Sequence, residues 1–179
     1  SAYAEVSFIK LIHTPYGFSE SYIQQIQSAR NLDEKWTKCM ELALGQISSD
    51  HNKGDIANKL KKLRGILNEY IIAPSQIRNK IAHGQWSVCL NNDCTAINAD
   101  MTLVVSSLDF VQIDRLFTIY EIFSQCIEDL IESPHKAHYH DYYSRLIELE
   151  TYIDKTKNYT LQSKQAQLQS SPKYSKATH

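Results

Sequence analysis

Apolar positions recur every three to four residues along most of the chain, the signature of helices that bury one face. Tyr3, Val6, Ile9 and Ile12 form such a row at the start, and Thr14-Pro15-Tyr16-Gly17 breaks it. Ser19 is an expected N-cap for a second helix over about residues 20–48, carrying Ile23, Ile26, Trp36, Met40, Leu44 and Ile47, with Asn31-Leu32-Asp33 kinking or dividing it. After a polar loop from Ser48 to Gly54, Asp55 is placed to cap a third helix with the stripe Ile56, Leu60, Leu63, Leu67 and Tyr70. Pro74 opens a short fourth helix that Gly84 closes, with Ile77 and Ile81 as an i,i+4 pair facing the core. The strongest stripe, Leu116, Ile119, Tyr120, Phe123, Ile127, Leu130 and Ile131, follows a capping pattern at Ser106 and Asp109 and ends at Ser133-Pro134. A last helix carries Tyr139, Tyr142, Leu146, Leu149 and Ile153.

Between the fourth helix and the strongest stripe the period shortens to two. Trp86, Val88 and Leu90 alternate with Gln85, Ser87 and Cys89, Asn91-Asn92-Asp93 turns the chain, and Cys94 to Asn98 returns. The expected fold is an all-α antiparallel bundle of about five to six helices with a small β-hairpin inserted after the Pro74–Gly84 helix. One domain is expected over residues 1–158. Beyond it, residues 159–179 are rich in Gln, Ser and Lys and show no stripe, so they read as a flexible tail.

Composition changes this picture little. The chain has 179 residues, enough to bury a core without disulfides or metal. A formal net charge of −1 gives no whole-chain field for nucleic acid, so any such contact must be local. Cys39, Cys89, Cys94 and Cys126 are scattered with no CxxC pair and read as free thiols. No stretch approaches the length of a membrane span, and the N-terminus shows neither a basic n-region nor an apolar h-region. A cytoplasmic protein is expected.

The chemistry concentrates in Arg78-Asn79-Lys80-Ile81-Ala82-His83. Cutting RNA requires a proton to leave a 2′-hydroxyl and another to reach the departing 5′-oxygen. Histidine is suited to both near neutral pH. The phosphorane gains negative charge, and a planar, always-protonated Arg holds it through two hydrogen bonds. Asn79 and His83 are four apart and share a helical face. Arg78 and His83 are five apart, which at about 100° per residue points them roughly 140° away from each other. One helix therefore aims them at a common atom poorly, and a second copy in a symmetric dimer would supply the convergence.

These residues, with Gly84, resemble the R-x4-H motif of the HEPN superfamily (higher eukaryotes and prokaryotes nucleotide-binding domain), in its form with Asn after Arg. The resemblance extends in architecture over roughly residues 20–155, and in specific motif over about seven residues. It implies a metal-independent endoribonuclease that works as a homodimer without a cofactor, with two motifs facing each other across a cleft. It also implies a toxin–antitoxin or phage-defence setting, with an antitoxin or defence-system partner. Carried over by position, Arg78 and His83 are catalytic and Asn79 supports them. The hairpin expected at 86–98 departs from a compact member. Some members keep the fold as a non-catalytic module that binds RNA, nucleotide or a partner protein.

Lys59, Lys61, Lys62 and Arg64 lie on the side of the third helix away from its stripe. Lys59, Lys62, Arg64 and the motif's own Lys80 are the candidate RNA-binding residues. The plainer reading of such a charge run is a solvated face. His135, His138 and His140 form the other visible cluster, but no third well-spaced ligand completes a metal set, and no metal site is assigned. Tyr139, Tyr142 and Tyr143 have the chemistry to stack on bases, yet at helical spacing they read as core or interface.

Overall fold

The computed structural model describes residues 2–47, 53–136 and 142–170. Within them the chain is all-helical, in ten α-helical segments and one π-helical turn, more than the five or six helices expected. These are α1 (Ala2–Ile12), α2 (Glu20–Gln27), α3 (Leu32–Gly45), α4 (Lys53–Leu67), the π turn (Asn68–Ile72), α5 (Ala73–Ala82), α6 (Ala99–Ser107), α7 (Phe110–Glu132), α8 (Pro134–Lys136), α9 (Tyr142–Thr156) and α10 (Leu161–Gln169).

The long α7 is the spine of the fold. Asp109 caps it, its side chain accepting from the Gln112 N–H at 2.9 Å, and it runs to Ser133 just before Pro134. It buries Ile119, Tyr120, Phe123, Cys126, Ile127, Leu130 and Ile131 against α1, α3, the π turn and α9. At the centre Trp36 of α3 is fully enclosed, with the rings of Phe8, Phe123 and Tyr120 at 4.6, 5.3 and 6.2 Å. The Tyr120 hydroxyl donates to the Ala4 carbonyl at 2.7 Å, fastening α1 onto α7.

The break between α2 and α3 is complete. Asn31 accepts from the Glu34 N–H at 2.9 Å while Glu34 accepts from the Arg30 N–H at 3.0 Å, so the second helix restarts. Ser19 occupies the N-cap of α2 but makes no capping bond with its side chain. Asp55 lies inside α4 and pairs with Lys59. On α1 the buried face is Phe8, Leu11 and Ile12, whereas Tyr3, Val6 and Ile9 are exposed. This helix is apolar on two sides, and spacing alone does not say which one meets the core.

The expected β-hairpin is not formed. Residues 85–98 make a loop with a single antiparallel bridge, Leu90 to Ile97, and no strand. Asn91 takes over the ladder's role, its side-chain oxygen accepting from the N–H groups of Thr95 and Ala96. Asn98 then caps α6, accepting from the Met101 N–H, so α6 occupies a segment where no helix was expected. Within the expected flexible tail, Leu161–Gln169 form the helix α10. α10 starts with a reciprocal capping box between Thr160 and Ser163 and packs on α7, where Gln112 donates to the Tyr159 carbonyl at 3.0 Å.

All four cysteines are free thiols, and among them only Cys94 is exposed. Burial pushes the Cys126 thiol up to about 12 and that of Cys39 higher still, so neither forms a thiolate near neutral pH. A thiol reagent is therefore expected to modify about one cysteine per native chain, at Cys94, and all four after unfolding. Rapid labelling of two or more in the native protein, counted by mass spectrometry, would contradict this packing.

Candidate active site

Pro74 lies in the first turn of the motif helix α5, as expected, but no break separates that helix from α4. Residues 53–82 are helical throughout, because Leu67, Ile72 and Ala73 all keep right-handed helical dihedrals. Pro74 has no N–H and its ring crowds the carbonyl four residues back, which in a regular α-helix breaks or kinks the chain. Here the preceding turn widens: the Ala73 N–H reaches Asn68 O, an i to i−5 bond, and the Ser75 hydroxyl donates to Ile72 O at 2.7 Å. The wide turn accommodates the proline, and the helix continues into the motif. Arg115 of α7 holds the turn from outside. Its guanidinium lies 5.4 Å from the Tyr70 ring centroid and its Nε donates to Thr156 Oγ1 at 2.9 Å, tying the turn to α9.

At the other end α5 closes with a Schellman motif. The Gln85 N–H bonds to Lys80 O at 2.9 Å and the Gly84 N–H to Ile81 O at 3.0 Å. Gly84 takes φ +77°, a left-handed conformation that strains any residue with a Cβ. His83 is the C-cap residue. It is exposed, and among the described residues its imidazole makes no hydrogen bond or ion pair.

Arg78 is exposed too. Its guanidinium donates to Asn79 Oδ1 at 3.2 Å and lies 4.0 Å from the Glu5 carboxylate of α1. Such an exposed pair is worth about 1 kcal/mol or less, so a phosphate can displace Glu5. Asn79 therefore contacts Arg78 with its side chain and His83 through its carbonyl, which accepts the His83 N–H at 3.1 Å. Within one chain the Arg78 and His83 side chains share no bond, as their spacing predicts.

The RNA-binding candidates separate. Lys59 is 2% exposed and pairs with Asp55 at 3.1 Å, so it lies in the interior and not on an outer face. It sits three residues after Ile56 and four before Leu63, which puts it on the flank of the buried stripe. Lys62 and Arg64 are at the surface, paired with Glu150 of α9 at 3.2 Å and with Glu41 of α3 at 2.6 Å. Lys80 is half-buried and donates to the Leu90 carbonyl at 2.7 Å, pinning the following loop to the motif helix. His138, Tyr139 and His140 lie outside the described residues, as do the side chains of His135, Tyr142 and Tyr143. Among the described residues no group of three or more His, Cys, Asp or Glu could hold a metal ion, and no helix is long and apolar enough to cross a membrane.

Sequence reasoning missed the groove beside Arg78. It has a volume of about 280 Å³ and is walled by Tyr3, Pro74, Ile77, Ile81, Ile113 and Phe117, with Arg78 among its lining residues. Ile77 and Ile81 face this groove and not the core, and no residue of α5 is buried. A second row on α7, Phe110, Ile113 and Phe117, is spaced by three and four and partly exposed, with Phe117 packed on the Tyr3 ring at 4.7 Å. That row was the available signal: a helix apolar on two faces has a use for both.

In comparisons with known proteins, no family model matches the chain, and neither a curated protein nor a solved structure does.

Proposed function

We propose that this protein is a metal-independent endoribonuclease that acts as a homodimer, with Arg78, Asn79 and His83 as the residues each copy supplies. One observation carries the reading. Arg78 and His83 stand in solvent at the end of a helix fixed on both sides, with the imidazole unengaged and the guanidinium held by its neighbour Asn79 and an exchangeable surface carboxylate. The resemblance to the HEPN motif supplies the reaction class. His83 as base takes the 2′-hydroxyl proton, the 2′-oxygen attacks phosphorus, and the bond to the 5′-oxygen breaks. That oxygen takes its proton from water. Arg78 stabilises the phosphorane, and Asn79 orients the pair. The products are a 2′,3′-cyclic phosphate and a 5′-hydroxyl.

The apolar groove and the exposed row Phe110, Ile113 and Phe117 favour pairing of two copies on the face that carries Arg78. The same resemblance implies a toxin or phage-defence effector restrained by an antitoxin or another defence-system protein, and the free thiols support a reducing, cytoplasmic setting. The groove also favours a second reading, a non-catalytic helical module that binds RNA, nucleotide or a partner protein. The two are separated by incubating purified protein with RNA in excess EDTA and analysing the ends. Cyclic phosphate and 5′-hydroxyl termini support the enzyme, whereas binding of intact RNA supports the module.

A further inference from the structure

Trp86 follows His83 by three residues, so the two Cα atoms are no more than about 11 Å apart. Its indole is 66% exposed. Slack chain is not the reason, because both sides of the residue are anchored. Before it stands the Schellman motif at Gly84. After it, Cys89 is fully buried, and its N–H donates to Thr102 Oγ1 at 2.9 Å. Across the base of the loop, Lys80 bonds to Leu90 O at 2.7 Å and the Leu90 N–H to Gln85 Oε1 at 2.8 Å. The fold thus holds a large aromatic ring in water beside the motif. Along the segment the charge suits a polyanion: from residue 73 to residue 98 the sole acidic side chain is Asp93, against Arg78, Lys80 and His83, with Glu5 of α1 reaching Arg78 from outside it.

We infer that Trp86 is the stacking platform for an unpaired nucleobase of the strand held at Arg78 and His83, which makes single-stranded RNA the substrate class. The inference rests on the ribonuclease reading for its ligand. A base is free to lie on an indole only when it is not already stacked in a duplex, and such stacking tolerates any base because each has a π-face. Val88 and Ile97 are also exposed on the same loop.

The chain has two tryptophans, and Trp36 is fully buried, so a ligand-induced change in indole emission reports Trp86. Full-length His83→Ala protein, in which cleavage is expected to be slow on the timescale of the measurement, is titrated with single-stranded oligoadenylate. Saturable quenching is expected, together with much weaker quenching by duplex RNA and none in His83→Ala/Trp86→Ala. In the cleavage-competent protein, Trp86→Ala is expected to act on KM more than on kcat, raising KM by roughly 5- to 150-fold for one lost stacking contact. Trp86→Tyr should restore most of it. Emission unmoved by the oligonucleotide, with Trp86→Ala cleaving at the wild-type KM, overturns the inference while leaving the nuclease standing. Emission that shifts with protein concentration but not with RNA overturns it in favour of a protein interface. Quenching without cleavage by wild type supports the platform and removes the nuclease.

Discussion

Replacing His83 by alanine is expected to slow RNA cleavage by a factor of about 10² to 10⁴, the range spanned by a positioned proton-transfer group. Arg78→Ala is expected to cost about 10² to 10³, the effect of removing one donor to the charge that develops on the phosphorane. Both side chains are exposed and contribute nothing to the core, so neither change should move stability by more than about 0.5 kcal/mol. The separation of the two effects is what gives the experiment its force: a large loss of rate in a protein of unchanged thermal midpoint identifies chemistry. Arg78→Lys should recover only part of the loss, because an ammonium lacks the planar fork that grips two phosphate oxygens. Single-turnover cleavage in excess EDTA, with circular dichroism melts of each variant, reads both quantities. A His83→Ala protein that cleaves within threefold of wild type would remove His83 from the mechanism.

The largest effect on stability is expected at Trp36. Truncation to alanine leaves a cavity between α1, α3 and α7 where the rings of Phe8, Phe123 and Tyr120 now meet the indole. The cost should be about 3–5 kcal/mol. For a domain of this size that lowers the thermal midpoint by roughly 6–20 °C. Trp36→Phe should cost distinctly less than its lost volume implies, because the Trp36 indole N–H is buried without an acceptor among the described residues and its removal relieves that penalty. Urea unfolding of the two variants decides the matter, and a Trp36→Ala loss below 1 kcal/mol would contradict the placement of this residue at the centre. The effect reaches the site as well, since α1 carries Glu5 and Tyr3 alongside the motif helix.

Which of these features the sequence exposes depends on whether the controlling contact is local. The Asp109 cap, the stop at Ser133-Pro134 and the left-handed Gly84 are decided within a few residues, and each was legible. So was the buried stripe of α7, because one face of that helix is overwhelmingly apolar. Pro74 correctly marked the first turn of α5, but not the continuity with α4: the widened turn that joins them is braced by Arg115 and α9, forty or more residues away. The alternation at Trp86, Val88 and Leu90 looked like a strand, but the returning segment pairs with it only at the Leu90–Ile97 bridge, and the side chains of Asn91 and Lys80 satisfy further backbone groups. α10 has no buried residue, so no stripe announced it, and its capping box uses Ser163 where Glu or Gln is the usual signal. Lys59 was assigned by its charge to the surface although its spacing from Ile56 and Leu63 puts it at the buried face. In the candidate site, the identities of Arg78, Asn79 and His83 were readable. The groove beside them, built from α1, α3, the π turn, α5, α7 and Leu108 between α6 and α7, was not.

The central claim is that one chain carries half a site. Arg78 of one copy and His83 of the other then form each working unit. Arg78→Ala and His83→Ala proteins, each inactive alone, are mixed in equal amounts and allowed to exchange subunits before RNA is added. A mixed dimer keeps one intact combination of the two it would normally have, and half of all dimers are mixed. Cleavage should therefore return to about a quarter of the wild-type rate per chain. A mixture as silent as its two components, with subunit exchange confirmed by native mass spectrometry, would contradict the shared site.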